Sequence, residues 1–346
     1  MRNLCLLLLL LFPANNWWDV QDAGVDSNLR GICIVSHPGG TQILTIWATG
    51  SNGAIVRSTD SGKSWQRLPI PDAETLDFRG VQSLIPDTAY VMSSGEAEKS
   101  RIYKTTDGGR NWKLQYKGEQ KSIFLDALIC DAETHCVALS DPVDGKFVLL
   151  ANTDGEHWSE LPRKSMPAAL PKEGAFAASN SSVCLEDRDI YFGTGGLAAR
   201  LFSSHDFGQT WTATETPILS GTASSGIFSL SCDENTIVVT GGDYKNPGQR
   251  DRNAAVSNDG GKTWQLATMP PAGYRSAVGR YDHGFVAVGP TGTEVSSDGL
   301  QWSSIGSWNL NTYFYSRETG KGWAAGSKGV VARFLDQTKY HIAPRP

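Results

Sequence analysis

The sequence of 346 residues contains no apolar segment long enough to span a bilayer as a helix, which needs about 20 residues. Its most compact apolar stretch, residues 5–12, is far shorter than that. Positive charge is also scarce, because 31 Lys and Arg stand against 36 Asp and Glu and leave a net charge of −5. Nucleic-acid binding requires a basic surface. We therefore predict no transmembrane segment and no nucleic-acid partner.

Cysteine is sparse, with six residues, and no Cys-x-x-Cys pair or Cys/His spacing suggests a metal site. We predict no metal and no cofactor. Cys130 and Cys136 flank a short loop between apolar runs, so a hairpin disulfide is plausible in an oxidising compartment. Cys184 and Cys232 occupy matching places in successive repeats and either pair or remain small buried side chains, and Cys33 is left over.

The N-terminus combines a positive charge at Arg2, the short apolar stretch and a small residue at Ala14. This order is typical of an export signal. We expect residues 1–14 to be a signal peptide and residues 15–346 to form one domain, periplasmic or secreted and monomeric.

Long segments with helical periodicity are missing as well, and short alternating apolar runs accompany 37 Gly and 11 Trp. These features favour many short strands over helices. The chain is therefore predicted to be all-β.

What the chain does contain is a motif, Ser/Thr-x-Asp-x-Gly-x-Thr-Trp, that occurs in six full or shortened copies, most clearly at residues 257–264. The Asp can accept hydrogen bonds from backbone N–H groups of its own loop, and Gly supplies the positive φ that a reversal needs. The pattern is the Asp-box, also called the bacterial neuraminidase repeat, which we interpret as a structural turn rather than a ligand site. Its residues are Asp60, Asp107, Asp154, Asp206, Asp259 and Asp298, with Trp65, Trp112, Trp158, Trp211, Trp264 and Trp302.

The boxes recur about every 40 to 50 residues, and each repeat reads as four short strands, which is the mark of a β-propeller. After the last box, three strands follow without a Trp-led fourth, whereas residues 17–20 supply an unpaired strand at the other end. Pairing the two ends would complete a blade and remove exposed sheet edges. We therefore predict a seven-bladed propeller closed by its N-terminal strand.

The repeats resemble those of the photosystem II stability/assembly factor family, whose units read Gly-x-x-Gly-x-Ile/Val-x-x-Ser/Thr-x-Asp-Gly-Gly-x-x-Trp. Residues 50–58, 195–200 and 326–333 follow parts of that pattern, and the resemblance covers roughly residues 17–335. It implies an exported, non-catalytic seven-bladed propeller that helps to assemble a membrane protein complex.

In a propeller, the first residues of the innermost strands line one mouth of the central channel. Aligning them places Arg30, Arg79 and Arg275 at one register, in blades one, two and six. Arginine binds carboxylates with a bidentate fork, so this register predicts an anion-binding patch for a carboxylate, an acidic peptide segment or a C-terminus. The alternative is that each arginine pairs locally with an acid such as Asp19, Asp126 or Glu173 and braces the blades.

The same alignment and the loops facing the mouth complete the candidate set. Residues 242–244 form a polar, aromatic loop longer than a hairpin requires, and such loops tend to carry function, although this one could also be an ordinary surface loop. The other blades place Asp126, Asn180, Phe228 and either Thr312 or Tyr313 at the register of the arginines. The candidate partner-binding residues are Arg30, Arg79, Arg275, Asp126, Asp141, Asp243, Tyr244 and Tyr274.

Two functions fit these residues. The first is a non-catalytic module that binds a protein at the channel mouth, either a membrane protein or an acidic peptide segment. The second is a sialidase-like glycoside hydrolase, in which the three arginines bind the carboxylate of a sugar and Asp126 or Asp141 serves as acid/base. Its nucleophile would be Tyr244 or Tyr274, activated by Glu173. The absence of an Arg-Ile-Pro segment, the six blades of sialidases and the lack of an assignable Tyr/Glu pair argue against the second.

Overall fold

The computed structural model describes residues 16–37, 43–131 and 135–337. The predicted signal peptide, residues 1–14, lies outside these ranges. In the part that is described, the chain folds as strands and two short 3-10 turns, and no helix is long and apolar enough to cross a membrane.

Seven sheets follow one another along the chain. The first strands are β1 (Trp18–Asp22), then β2 (Leu29–Ser36), β3 (Leu44–Gly50), β4 (Ala54–Ser58) and β5 (Gln66–Arg67) of blade one, and β6 (Asp77–Ile85), β7 (Thr88–Ser94), β8 (Arg101–Thr105) and β9 (Lys113–Lys117) of blade two. Blade three contains β10 (Leu125–Cys130), β11 (Cys136–Val143), β12 (Lys146–Asn152) and β13 (Ser159–Glu160).

After the short strand β14 (Glu173–Gly174), blade four contains β15 (Val183–Glu186), β16 (Asp189–Gly193), β18 (Arg200–Ser204) and β19 (Thr212–Glu215), with β17 (Gly195–Gly196) between its second and third strands. Blade five contains β20 (Ser225–Asp233), β21 (Thr236–Asp243), β22 (Ala254–Ser257) and β23 (Gln265–Leu266). Blade six contains β24 (Ala277–Tyr281), β25 (Gly284–Gly289), β26 (Gly292–Ser296) and β27 (Ser303–Gly306), and blade seven contains β28 (Leu310–Ser316), β29 (Lys321–Gly326) and β30 (Val330–Phe334). Strands β14 and β17 extend the sheet of blade five.

The predicted closure of the ring is confirmed. Strand β1 pairs antiparallel with β30 and places Trp18 opposite Phe334. The Trp18 ring is 1% exposed, and its Nε1–H donates to Thr293 Oγ1 of blade six at 3.0 Å. The first strand of the chain therefore serves as the outer strand of blade seven and also fastens that blade to its neighbour.

Each full Asp-box is a self-contained turn between the third and fourth strands of a blade. In blade five, Ser257 Oγ accepts the Gly261 N–H at 2.8 Å, and the Asp259 carboxylate accepts both the N–H and the hydroxyl of Thr263, at 2.9 and 2.6 Å. Gly261 has φ of +86°, and a Cβ there would lie 2.2 Å from Leu201 of the previous blade. The box thus closes its own hairpin and packs closely against the neighbouring sheet.

Apolar side chains between neighbouring sheets form the core. Between blades three and four, the Phe147 ring contacts the rings of Phe192 and Phe202, with centroids 5.1 Å apart in both cases. Such edge-on ring contacts stabilise a buried interface beyond the burial of area alone.

Cys130 and Cys136 are joined by a disulfide that closes the first turn of blade three. Cys33, Cys184 and Cys232 carry free thiols.

The channel is closed by the chain itself. Residues 175–182, which we call the plug segment, run along the channel axis before β15 begins at Val183. Their hydrogen bonds reach all six other blades. In blades one and two, Arg30 and Arg79 donate to the carbonyls of Ala178 and Ala177, and in blades three and five the Leu128 and Leu230 N–H groups donate to Asn180 and Ser181. In blade six the Ser276 carbonyl accepts from Ser179, and in blade seven Thr312 donates to the Ser179 carbonyl. Only a segment on the axis can contact every blade. The two ends of the channel therefore form separate cavities.

Candidate functional site

A β-bulge in the innermost strand of most blades directs one side chain into the channel mouth. In β2 the pairing shifts between Leu29 and Gly31, which leaves Arg30 outside the ladder. A bulge of this kind redirects a side chain and often occurs beside functional sites. The bulged residues are Arg30, Arg79, Asp126, Phe228 and Asn311. All five line one cavity of about 820 Å³, which we call the mouth cavity.

Blade six departs from the predicted register by one residue. The Ser276 N–H donates to the Val288 carbonyl at 3.0 Å, and the next residue, Ala277, pairs with Val288 in the ladder. Ser276 therefore takes the bulged place and lines the cavity. Arg275 points into the wall, where it is 0% exposed and forms a bidentate ion pair with Glu294. A shift of one residue sends a side chain to the opposite side, so the structure corrects the prediction that Arg275 lines the mouth.

Blades four and seven also differ from the alignment. Asn311, and not Thr312 or Tyr313, lines the mouth cavity in blade seven. Asn180 belongs to the plug segment, where its side-chain oxygen accepts the Leu128 N–H at 2.7 Å. Its amide is therefore part of the floor that closes the channel.

Arg30 and Arg79 form the positive side of the mouth cavity. Arg79 donates to the Asp77 carboxylate at 2.8 Å and to the Ala177 carbonyl at 2.9 Å. Arg30 forms no ion pair with a carboxylate of the described residues within 4.0 Å, and its Nη1 lies 3.5 Å from the Ala178 carbonyl. Burial, and next the charge of Arg79, lower the pKa of Arg30. A carboxylate placed beside Arg30 would relieve both costs.

Two carboxyl groups of blade three lie next to the arginines, on the side of Arg79. Asp126 is 1% exposed, and burial, reinforced by nearby Asp141, raises its pKa well above the ordinary value. Its Oδ2 has no hydrogen-bond partner within the described ranges. Burial raises the pKa of Asp141 to about 6, although its Oδ1 accepts the Ala175 N–H at 2.9 Å. Both carboxyl groups are therefore harder to ionise than an aspartate exposed to solvent.

An aromatic wall lines the side of the cavity between blades four and six. Phe176 of the plug segment stacks on Phe228 with ring centroids 3.8 Å apart, and Tyr274 meets Phe228 edge-on at 4.7 Å. Tyr244 contacts the same ring at 6.1 Å and is 48% exposed. Phe176 was not predicted as a site residue, because its only sign in the sequence is an aromatic side chain just before the innermost strand of blade four.

Asp243 and Glu173 do not supply free charge to the cavity. Asp243 is 4% exposed and stabilises its own loop by accepting the Lys245 N–H at 2.9 Å. Glu173 forms a buried ion pair with Arg200 at 2.5 Å. The positive charge of exposed Lys172 joins that of the two arginines at the cavity edge.

Large apolar side chains are exposed around the same mouth. Leu170, Leu197 and Tyr244 are 41%, 49% and 48% exposed. Tyr244 lines the cavity itself, Leu197 directly follows the lining residue Gly196, and Leu170 lies two residues before the lining residue Lys172. Exposed apolar side chains grouped beside a cavity are typical of an interaction surface.

Comparison with known proteins agrees with this architecture. The family model described as "Photosynthesis system II assembly factor YCF48" matches residues 36–286. The chain belongs to this family.

Two curated relatives are proteins named "Photosystem II assembly lipoprotein Ycf48". The one from Synechococcus sp. (strain CC9902) is 24% identical over 245 residues, which cover 69% of this chain and 65% of that protein, slightly less than two thirds of its length. The one from Trichormus variabilis is 27% identical over 325 residues, covering 78% of this chain and 84% of that protein.

Two solved structures share the fold. YCF48 from Cyanidioschyzon merolae has a TM-score of 0.65 at 16% identity and covers 92% of this chain and 99% of its own. A structure described as "YCF48 bound to D1 peptide" has a TM-score of 0.61 at 14% identity and covers 92% of this chain and 97% of its own.

The hydrolase alternative loses its arginine triad in the structure. Arg275 is buried in its ion pair with Glu294, so only Arg30 and Arg79 of the three reach the mouth cavity. Glu173, considered as the partner of a tyrosine nucleophile, is paired with Arg200 instead. Within the described ranges, no group of three His, Cys, Asp or Glu side chains could hold a metal ion.

Proposed function

We propose that this chain is an exported assembly factor that binds a peptide segment of a membrane protein in the mouth cavity. The observation that carries the proposal is the placement of Arg30 and Arg79 beside an aromatic wall in a cavity whose floor is the plug segment. Membership of an assembly-factor family supports a protein-binding role. The related structure described as bound to a D1 peptide supports a peptide as the partner.

The cavity favours a chain end or a tight acidic turn. Its volume of about 820 Å³ is that of a small-molecule pocket, large enough for a few residues but not for a folded domain. Because the plug segment closes the floor, a peptide cannot pass through and must enter and leave by the mouth. A carboxylate would lie near Arg30, which forms no ion pair within 4.0 Å among the described residues, and an apolar side chain would pack against Phe228.

The exposed apolar side chains around the mouth extend this surface. Leu170, Leu197 and Tyr244 would pack against the part of the partner that remains outside the cavity. Such a division, with a charged anchor inside and apolar contacts at the rim, orients the partner and adds binding area.

We also propose that the protein acts outside the cytoplasm, after export. It is supported by the order of residues in segment 1–14, by the disulfide between Cys130 and Cys136, and by the names of the two relatives as lipoproteins. Expression of the full chain in its host, followed by fractionation and N-terminal analysis, tests it. Recovery of the uncleaved chain in the cytoplasm would contradict export.

Peptide binding can be tested by calorimetry with a short synthetic acidic peptide that ends in a free carboxylate, and with the same peptide carrying a C-terminal amide. We expect the free carboxylate to bind more tightly. Arg30→Gln should weaken its binding about tenfold or more, the range for losing a charge-assisted hydrogen bond. Arg110→Gln, on an exposed Asp-box turn, is the matched control and should bind as the wild type does.

The result that overturns the mouth cavity as the site is equal affinity of the Arg30→Gln and Arg110→Gln variants. Equal binding of the two peptides would instead move the carboxylate away from the chain end and point to an internal acidic side chain. Substituting that side chain with its amide in the peptide then distinguishes the two sources.

A further inference from the structure

The opposite end of the channel contains a second cavity that the peptide-binding proposal does not use. It has a volume of about 640 Å³ and is separated from the mouth cavity by the plug segment. The thiols of Cys184 and Cys232 both line it, together with acidic residues of the turns at that end. A solvent-accessible cavity with two free thiols in its wall is open to thiol chemistry.

The two cysteines lie on the innermost strands of neighbouring blades, β15 and β20. The residue two positions before β15 is bonded to β20, because the Leu230 N–H donates to the Ser181 carbonyl at 2.9 Å and the Ser181 and Ser229 hydroxyls lie 2.7 Å apart. Cys184 packs against the apolar cluster that contains Cys232, and the two thiols share a hydrogen bond. Neither is bonded to another cysteine.

The exposure of the two thiols gives them different roles. Cys184 is half-buried and faces the second cavity, so a disulfide reagent can reach it. Cys232 is 5% exposed, so a reagent reaches it far less easily than it reaches Cys184. This is the arrangement of an attacking cysteine with a resolving cysteine behind it.

We propose that Cys184 and Cys232 form a second, reversible disulfide that joins blades four and five. The Cys184 thiolate attacks a disulfide-bearing oxidant, forms a mixed disulfide and releases one thiol of the oxidant. The Cys232 thiolate then attacks the Cys184 sulfur and releases the second thiol. The pair loses two electrons and two protons, which reduce the oxidant from disulfide to dithiol.

The charges around the pair explain why the bond would need a catalyst or a sustained oxidant. Burial, and next the hydrogen bond with Cys184, raise the pKa of Cys232 well above its ordinary value, and the charge of Glu186 acts in the same direction. Arg317 offsets part of this effect, since it donates to Glu186 at 3.1 Å and to Asp233 at 2.9 Å beside the thiols. A thiol with a raised pKa provides little thiolate and exchanges slowly.

The bond would fix the base of the plug segment. Strand β15 begins directly after that segment, and Cys184 is its second residue, whereas Cys232 lies near the end of the long strand β20. The new covalent link would therefore hold the floor of the mouth cavity to blade five. This effect is independent of whether a peptide binds at the mouth.

The test uses the full chain with oxidised glutathione as the probe. Native protein is incubated over a range of glutathione redox ratios, free thiols are alkylated, and peptides are analysed by mass spectrometry. We expect a cross-linked peptide containing Cys184 and Cys232, loss of two alkylated thiols, and a melting temperature higher by roughly 5 °C. Cys33 is 1% exposed, and burial raises its pKa to about 12. It should therefore be alkylated only after the protein is unfolded.

Single substitutions separate the two steps. Cys232→Ser should trap Cys184 as a mixed disulfide with glutathione, whereas Cys184→Ser should leave Cys232 reduced. Cys33→Ser is the control and should form the cross-link as the wild type does. The proposal is overturned if native protein yields no peptide linking residues 184 and 232 at any ratio, or if Cys232 forms a mixed disulfide with glutathione in the Cys184→Ser variant.

Discussion

At the scale of single residues, the aspartates of this propeller fall into two groups with opposite shifts in pKa. The Asp-box carboxylates accept hydrogen bonds from their own turns, which lower the pKa of Asp107 and of Asp259 to about 2 and keep these groups ionised. Asp126 and Asp141, by contrast, lie in the wall of the mouth cavity, where burial raises their pKa. Hydrogen bonds within a turn lower the pKa of an aspartate, whereas burial in the ring raises it.

The raised pKa of Asp141 predicts that its ionisation destabilises the folded protein as the pH rises. Because the folded pKa of about 6 lies above the ordinary value of 3.8, Asp141 favours the folded state below about pH 4, and this contribution is lost as the pH rises through 6. Asp141→Asn cannot ionise and keeps an oxygen for the Ala175 N–H. We expect the variant to be more stable than the wild type by about 1 to 3 kcal/mol at pH 8 and equal to it at pH 4.

Urea unfolding at the two pH values measures this difference. Asp144→Asn, in the exposed turn of the same blade, is the matched control and should change stability little at either pH. A gain for Asp141→Asn that is the same at pH 4 and pH 8 would show that ionisation is not its cause.

At the scale of strands, the bulges decide which side chains reach the cavity. The bulge in blade six falls at Ser276, and Arg275 consequently forms a buried ion pair with Glu294 inside the wall. A buried charge that loses its partner is costly, while an apolar pair of similar size is often tolerated. The pair therefore ties the segment just before β24 to β26 and so fixes the register of blade six.

Removing one partner of this pair should be far more harmful than removing both. We expect Glu294→Ala to lower the free energy of unfolding by about 3 to 5 kcal/mol, because Arg275 is left buried without a counter-charge. The double variant Arg275→Met/Glu294→Met should recover most of that loss. Chemical denaturation at pH 7 measures both.

The partly exposed pair of Glu160 with Arg163 provides the comparison. Glu160→Ala should cost less than about 1 kcal/mol, as is usual for an ion pair near solvent. If Glu294→Ala costs no more than Glu160→Ala, the pair in blade six does not hold the register.

At the scale of the whole molecule, closure of the ring depends on its first and last strands. The sheet of blade seven contains β1 and β30, which are separated by nearly the entire chain. The ring leaves no gap between blades six and one, because Trp18 packs against Phe334 and also donates to Thr293 of blade six. We therefore expect the ring to open at this seam when that contact is lost.

Trp18→Ala should therefore destabilise the whole ring by about 3 to 5 kcal/mol, the range for truncating a large buried aromatic side chain. Trp308→Ala, which removes a side chain that is 44% exposed, is the matched control and should have a small effect. Thermal unfolding followed by tryptophan fluorescence and circular dichroism compares the two. Equal melting temperatures would mean that the seam contributes little to stability.

The sequence by itself determined the all-β fold, the seven blades and the closure by the N-terminal strand. These features are readable because each depends on local chemistry. An Asp-box specifies its turn within eight residues, because Ser257 accepts the Gly261 N–H and Asp259 accepts the Thr263 N–H. Repetition of the turn fixes the period of the blades. A missing fourth strand at one end and a surplus strand at the other then leave one way to close the ring.

Only the tertiary structure decided which residues form the cavities. The bulge that brings Ser276 rather than Arg275 to the mouth depends on how β24 pairs with β25, and a shift of one residue leaves the repeat pattern unchanged. The plug segment depends on contacts with six other blades, which no local pattern encodes. Turns are set by neighbours in the chain, whereas the direction of a side chain at the axis is set by the packing of the whole ring.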